Sequence, residues 1–247
     1  MMSAPEPAEL SPSEQRYPFW GAVDVLFMLG LALPALAAAG LAVAAASLLV
    51  PAWRSWRAAQ VLAMQFLFWG LWFLALRFLI RFKYGRRFWA SLAWVRPPGG
   101  YAHAASLGAL TAGVVIAGGA LLRPPQVPMP LLELLKDPYS LALVGVFAVT
   151  LGPLCEELAF RGFLLPWLAR LLKPAPAVLA TGLLFALLHG PEYAWSWQHV
   201  LLIAVAGAAF GFVRLRTGST AAAAAMHAAY NLVFFIALLA QSGARIR

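Results

Sequence analysis

The stretch Leu141–Leu172 reads LALVGVFAVTLGPLCEELAFRGFLLPWLARLL. It is apolar from Leu141 to Leu154 and again from Gly162 to Leu168, and between those runs it carries Glu156, Glu157 and Arg161. About 20 apolar residues in a helix cross a hydrocarbon core of roughly 30 Å, so this run is long enough to span a membrane. An ionisable group inside such a span costs about 2.5 to 3.5 kcal/mol or more, which makes each charge a functional candidate. On a helix Glu157 and Arg161 are four apart and share a face, in the order that favours an ion pair, while Glu156 is rotated by about 100°. One carboxylate is thereby neutralised and the other, Glu156, is left as the reactive acid. The plainer alternative puts all three charges in a loop just outside the membrane, with Arg161 marking an interface.

Working outward, the whole chain has the same character. Of its 247 residues 63% are hydrophobic and 11% charged, with a mean hydropathy of +0.80, far from the balance of a water-soluble domain. Apolar runs recur at Phe19–Val50, Ala58–Ile80, His103–Leu122, Leu141–Leu172, Ala175–His189, His199–Arg214 and Ser219–Ala240. The expected fold is therefore an all-α, polytopic transmembrane helix bundle of about seven to eight spans. It forms one membrane domain over residues 18–247, with a motif-bearing core at 141–240, behind a short polar tail at 1–17. That tail carries Glu6, Glu9 and Glu14 and lacks the basic start of a cleavable signal peptide.

A net charge of +9 might suggest nucleic acid, but the Lys and Arg residues sit in short connections between apolar runs. That is the positive-inside pattern, and no nucleic-acid partner is expected. Arg81, Lys83, Arg86, Arg87 and Arg96 mark the strongest cytoplasmic connection; alternation then places the N-terminus, the Arg170–Pro174 turn and the Arg214–Arg216 loop on that side. It sends the tail with Arg245 and Arg247 outside, against the charge trend. Tyr193, Trp195 and Trp197 read as interfacial anchors, and Gly207 and Gly211 as a GxxxG packing contact. Cys155 is the only cysteine, so no intramolecular disulfide is possible. Preceding Glu156, it is conceivable as a nucleophile but reads as a small apolar residue.

Two further segments carry polar groups in apolar surroundings. Phe185-Ala186-Leu187-Leu188-His189 closes the fifth run; in the last, His227 and Asn231 lie four apart on one face. A polar stripe there must face protein or water. If the Glu156 helix runs to a turn at Lys173-Pro174, Glu156 lies roughly 24 Å before the turn and His189 roughly 22 Å beyond it, at matching depth. His227 is only roughly 13 Å past the Gly218 turn and joins that layer only if the hairpins protrude unequally. His103 and His199 start spans and read as interfacial, and Asp24 as exposed or paired with a loop arginine.

In this order and spacing the three segments resemble the CAAX protease and bacteriocin-processing (CPBP) family, whose pattern is EExxxR, FxxxH and HxxxN on successive membrane helices. Glu156, Glu157 and Arg161, then Phe185 and His189, then His227 and Asn231 match every motif position. The stretch Arg214–Ser219 looks like the family too, and the likeness covers about Leu141 to Leu239. The resemblance implies an intramembrane glutamate protease with a conical cavity among these helices. Glu156 with His189 would activate water, His227 with Asn231 would hold the oxyanion, and Glu157 and Arg161, with Phe185, would support them.

These residue types suit peptide hydrolysis, which needs a base for water, a proton for the leaving amine and donors for the oxyanion. The resemblance implies no metal, and the HExxH spacing is absent; zinc remains chemically conceivable because His and Glu are normal zinc ligands. The Ala- and Arg-rich composition looks bacterial, which suggests a bacterial cytoplasmic membrane, where prenylated cysteine is not the typical substrate. The expected partners are the lipid bilayer and a protein or peptide with a membrane segment, processed as a leader, a bacteriocin or a C-terminal sorting signal, the last being the proposed myxosortase role. The competing readings are a non-catalytic scaffold or bacteriocin self-immunity protein, and a transporter using Glu156 and the histidines as a relay.

Overall fold

The computed structural model describes residues 17–127, 135 and 137–245, with side chains to 241. The polar tail, Tyr17 excepted, and the basic groups of Arg245 and Arg247 lie outside the described residues.

Among the described residues ten helices follow one another: α1 (Ala22–Leu49), α2 (Arg57–Phe78), the short α3 (Phe88–Ser91), α4 (Gly100–Leu122), α5 (Pro138–Val149), α6 (Leu151–Glu157), α7 (Leu165–Leu172), α8 (Pro174–Leu188), α9 (Trp197–Thr217) and α10 (Thr220–Arg245). Single 3₁₀ turns occupy Pro51–Ser55 and Gly190–Tyr193, and π-helical stretches extend α2 over Leu79–Lys83 and join α6 to α7 over Leu158–Leu164. The described residues contain no strand. Six units are long and apolar enough to cross a membrane: α1, α2 with its π turn, α4, the α5–α7 rod Pro138–Leu172, α9, and α10 over Thr220–Gln241. With the shorter apolar α8 they give seven, the lower of the expected counts. Pro34 lies inside α1 without ending it, as membrane helices tolerate.

The rod Pro138–Leu172 is not a uniform helix, and its own prolines say why. Pro153 has no N–H to offer Val149 and α5 ends there, with Thr150 at φ −124° and ψ −78°. Pro166 likewise cannot bond back to Gly162, and the preceding turn widens into the π stretch, a distortion often found at functional sites. At the rod's start Asp137 caps α5 by accepting from the Tyr139 and Ser140 N–H groups at 3.1 and 2.9 Å. The Ser140 hydroxyl, together with those N–H groups, holds its carboxyl below the ordinary range.

The connections expected on the cytoplasmic side do meet at one end of the bundle. Arg170 donates to the Pro18 and Trp20 carbonyls (2.7 and 3.2 Å), and Arg214 to the Tyr17 and Thr220 hydroxyls, both at 2.9 Å. Ser219 and Thr220 donate to the Val95 and Leu92 carbonyls, each at 2.6 Å. Asp24, rather than being exposed, is buried; it accepts from Lys83 and Tyr84. At the opposite end Trp195 and Trp197 are exposed, as anchors are, whereas Tyr193 stacks on His199 with ring centroids 4.8 Å apart.

The first three spans support the later ones directly. Val25 and Met28 of α1 and Trp72 and Leu76 of α2 share a core with Leu158 and Phe163 of the π stretch. The Trp20 indole donates to the Phe163 carbonyl at 3.1 Å. α4 packs on α9 and α10 through Ala104, Val115, Phe210 and Met226, so tightly that a Cβ at Gly108 would fall 2.0 Å from the Met226 carbonyl oxygen.

The two glycines of the GxxxG are not equivalent. A Cβ on Gly207 would lie 3.1 Å from the Gly182 Cα, at a backbone crossing of α8 and α9, and 3.2 Å from an Arg161 nitrogen. On Gly211 it would meet side chains alone, Val178 at 3.5 Å and Leu165 at 3.8 Å, in ordinary van der Waals contact. Gly207→Ala should therefore lower stability by about 1–3 kcal/mol through overpacking. Gly211→Ala should be close to neutral. Thermal unfolding of the two variants in mild detergent checks this, and equal midpoints would contradict the asymmetry.

Candidate active site

The three motif segments converge, and the contact that joins them is one that sequence spacing did not reveal. Glu157 is fully buried; its Oε1 accepts from Arg161 Nη1 at 3.0 Å and lies 3.0 Å from His227 Nδ1, seventy residues away. A carboxylate paired with a guanidinium only accepts, so His227 donates through Nδ1–H, leaving Nε2 with its lone pair free. That free nitrogen lies 3.8 Å from Glu156 Oε2. Glu156 is the more accessible carboxylate, its side chain 25% exposed against 0% for Glu157.

Burial and aromatic packing fix each of these groups. Arg161 donates a second bond to the Gly207 carbonyl (2.6 Å), and its guanidinium sits 4.8 Å from the Phe185 ring centroid and 5.5 Å from that of Phe210. With the Phe160 ring also within reach at 5.6 Å, the charge is held by one carboxylate, one backbone oxygen and three aromatic faces. His227 lies flat against Phe210, centroids 4.5 Å apart, while Phe185 meets it edge-on at 5.7 Å. Phe185 is therefore the hub between the second and third motifs.

One turn further along α8, His189 Nδ1 lies 2.8 Å from the Phe185 carbonyl oxygen. A carbonyl accepts only, so Nδ1 carries the hydrogen and Nε2 is again the free base. His189 is half-buried at the end of α8. Asn231 donates from Nδ2 to the Ala148 carbonyl at 2.8 Å, in the turn next to the Pro153 break. The second hydrogen of that amide is not used by this bond.

The sequence aligned Glu156 with His189; among the described residues the histidine within 4 Å of Glu156 is His227. The rod is not a regular helix on the Leu172 side of Glu156, where the π stretch Leu158–Leu164 intervenes, so a count at about 1.5 Å per residue does not fix the depth of Glu156. Phe210 and the Gly207 and Ala148 carbonyls were not foreseen as parts of the site. Only the GxxxG hinted at Gly207, and no sequence signal marks the other two.

Cys155 points elsewhere. It lines an apolar cavity of about 340 Å³ with Phe73 and Leu74 of α2 and Leu154 and Leu158. Among the described residues no three His, Cys, Asp or Glu side chains are grouped to hold a metal ion. His227 Nδ1 and Glu157 Oε1 are already committed to each other and to Arg161.

The site thus sets a paired glutamate, an arginine and two histidines inside a polytopic helical bundle. Residues 138–233 match the family model described as Rce1-like, type II CAAX prenyl endopeptidase Rce1-like. Over these residues the motif-bearing part of the chain is similar to CAAX-type endopeptidases, as the motifs implied. No curated protein and no solved structure matches the chain.

Proposed function

We propose that the chain cleaves a peptide bond in a membrane-inserted or membrane-adjacent segment, with Glu156 as the base that activates water, in the maturation of a peptide or protein in a bacterial cytoplasmic membrane. The observation that carries this reading is the 3.8 Å approach of Glu156 Oε2 to His227 Nε2 inside the bundle. That separation lets one water reach both groups at ordinary hydrogen-bond lengths of about 2.8 Å.

In the proposed step a water proton passes to Glu156 as the water oxygen attacks the carbonyl carbon, and negative charge collects on the carbonyl oxygen. The amide bond then breaks and the proton moves from Glu156 to the leaving nitrogen. His227, oriented and charge-balanced by Glu157 as an aspartate orients a triad histidine, takes a second proton from solvent before the step, and its Nε2–H then donates to the oxyanion and is retained through the turnover. The unused Asn231 amide hydrogen is the second donor, and His189 Nε2 assists in moving the water proton. Leader, bacteriocin and C-terminal sorting-signal processing, the last myxosortase-like, all fit this chemistry.

The reaction needs no metal in this reading, and activity should survive a zinc chelator such as 1,10-phenanthroline. Loss of cleavage on chelation, restored by added zinc, would replace it with a metal-activated water. The general test compares N- and C-terminal peptides in the membrane and secreted proteomes of strains carrying wild type or Glu156→Gln at matched levels. Termini that vanish in the variant identify the substrate. Unchanged termini in a variant that still reproduces the deletion phenotype would favour the scaffold, immunity or transport readings.

A further inference from the structure

Burial is unequally distributed along the helices that carry the site. On the side of the basic connections the bundle is solid. From Ser219 to His227 only Ala225 of α10 is not fully buried, and below Glu157 the rod buries Arg161, Phe163 and Leu165. The corresponding halves of α8 and α9 bury Ala177 and Thr181, and Phe210 and Arg214. Beneath this layer the connections are tied together by Arg170, Arg214, Ser219 and Thr220. A peptide entering from that end would have to break a packed, hydrogen-bonded floor.

Beyond the site the packing loosens. After His227, α10 is nowhere fully buried through Gln241, and α9 is not buried between Trp197 and Val205. α8 ends at Leu188, about 22 Å from its start and short of the roughly 30 Å core. His189 and the 3₁₀ turn Gly190–Tyr193 therefore follow a helix that stops short of a far surface. Glu192, on that turn, is exposed. Both partly exposed members of the site, Glu156 and His189, are on this side of the fully buried Glu157–Arg161 pair.

Since the basic connections mark the cytoplasmic face, we infer that the Glu156–His227 site is entered from the extracytoplasmic side, under the Gly190–Tyr193 turn. The substrate class follows: segments whose scissile bond lies at the extracytoplasmic end of a membrane anchor, not a lipid-modified C-terminus presented from the cytoplasm. The substrate clause rests on the peptidase reading above; the direction of access does not.

The test separates the two. In a Cys155→Ala background, single cysteines are placed at Glu192, at His189 and, as the cytoplasmic reference, at the exposed Arg87. Membrane-impermeant charged thiol reagents are applied to spheroplasts and to inverted vesicles. Glu192→Cys and His189→Cys should label from outside and Arg87→Cys only in inverted vesicles. Should His189→Cys fold poorly, protection of Glu156→Cys by the same external reagents supplies the second reading. Labelling of the site cysteines only from the Arg87 side would overturn the proposal. In the proteome comparison, termini lost in Glu156→Gln should map outside the cytoplasm; lost termini mapping to the cytoplasm would overturn the substrate clause while leaving peptidase activity standing.

Discussion

Glu156→Gln should reduce peptide cleavage by about 10² to 10⁴-fold while the protein accumulates in the membrane at its normal level. A positioned general base contributes about that much, and the substitution keeps the shape of the side chain while removing its capacity to take a proton. The neighbouring carboxylate cannot stand in. Glu157 Oε1 already receives Arg161 and His227, and the side chain is wholly buried. Purified wild type and variant, assayed on a substrate identified from lost termini, provide the measurement. A variant that cleaves at the wild-type rate would remove Glu156 from the chemistry, whatever the fold.

The second large effect concerns stability. Arg161→Leu should cost about 3–5 kcal/mol, because it strands Glu157 as an unpaired charge in a fully buried position. It also frees the Gly207 carbonyl, which Arg161 meets at 2.6 Å. The double variant Glu157→Leu, Arg161→Leu should recover a substantial part of that loss, since no charge is then left buried without a partner. It should nevertheless stay inactive, because His227 loses the acceptor that orients its ring. Thermal unfolding in detergent and cleavage assays on the two variants give separate answers. If Arg161→Leu melts with the wild type, the pair is not what holds these helices together; if the double variant cleaves normally, Glu157 does not position His227.

Where the sequence was legible, the reason is that membranes impose strong local rules. A run such as Leu141–Leu172 must be helical, because no other backbone can satisfy its hydrogen bonds in lipid. A charge inside it must have a purpose or a partner. Those two constraints were enough to read the all-helical bundle, the shared face of Glu157 and Arg161, the sidedness of the basic connections and the choice of Glu156, His189, His227 and Asn231 as candidates. The GxxxG marked the α8–α9 crossing for a similar reason, since small residues are what permit close approach.

Which group meets which was not local information. A regular-helix estimate of depth set Glu156 at the level of His189; the structure adds His227, whose Nε2 lies 3.8 Å from Glu156 across a rod that Pro153 and Pro166 interrupt. Glu157 was readable as the partner of Arg161 from four-residue spacing, yet not as the partner of His227, seventy residues on. Asn231 shared a face with His227 in the sequence, but its bond to Ala148 exists only because the rod breaks where it does. The sequence by itself determined the membrane-crossing elements and the polar residues set inside them, because each follows from a chain segment's own contest with lipid. The pairing of carboxylates with histidines, and the closed floor beneath them, were decided by tertiary structure, because they depend on how far each helix protrudes when seven spans pack together.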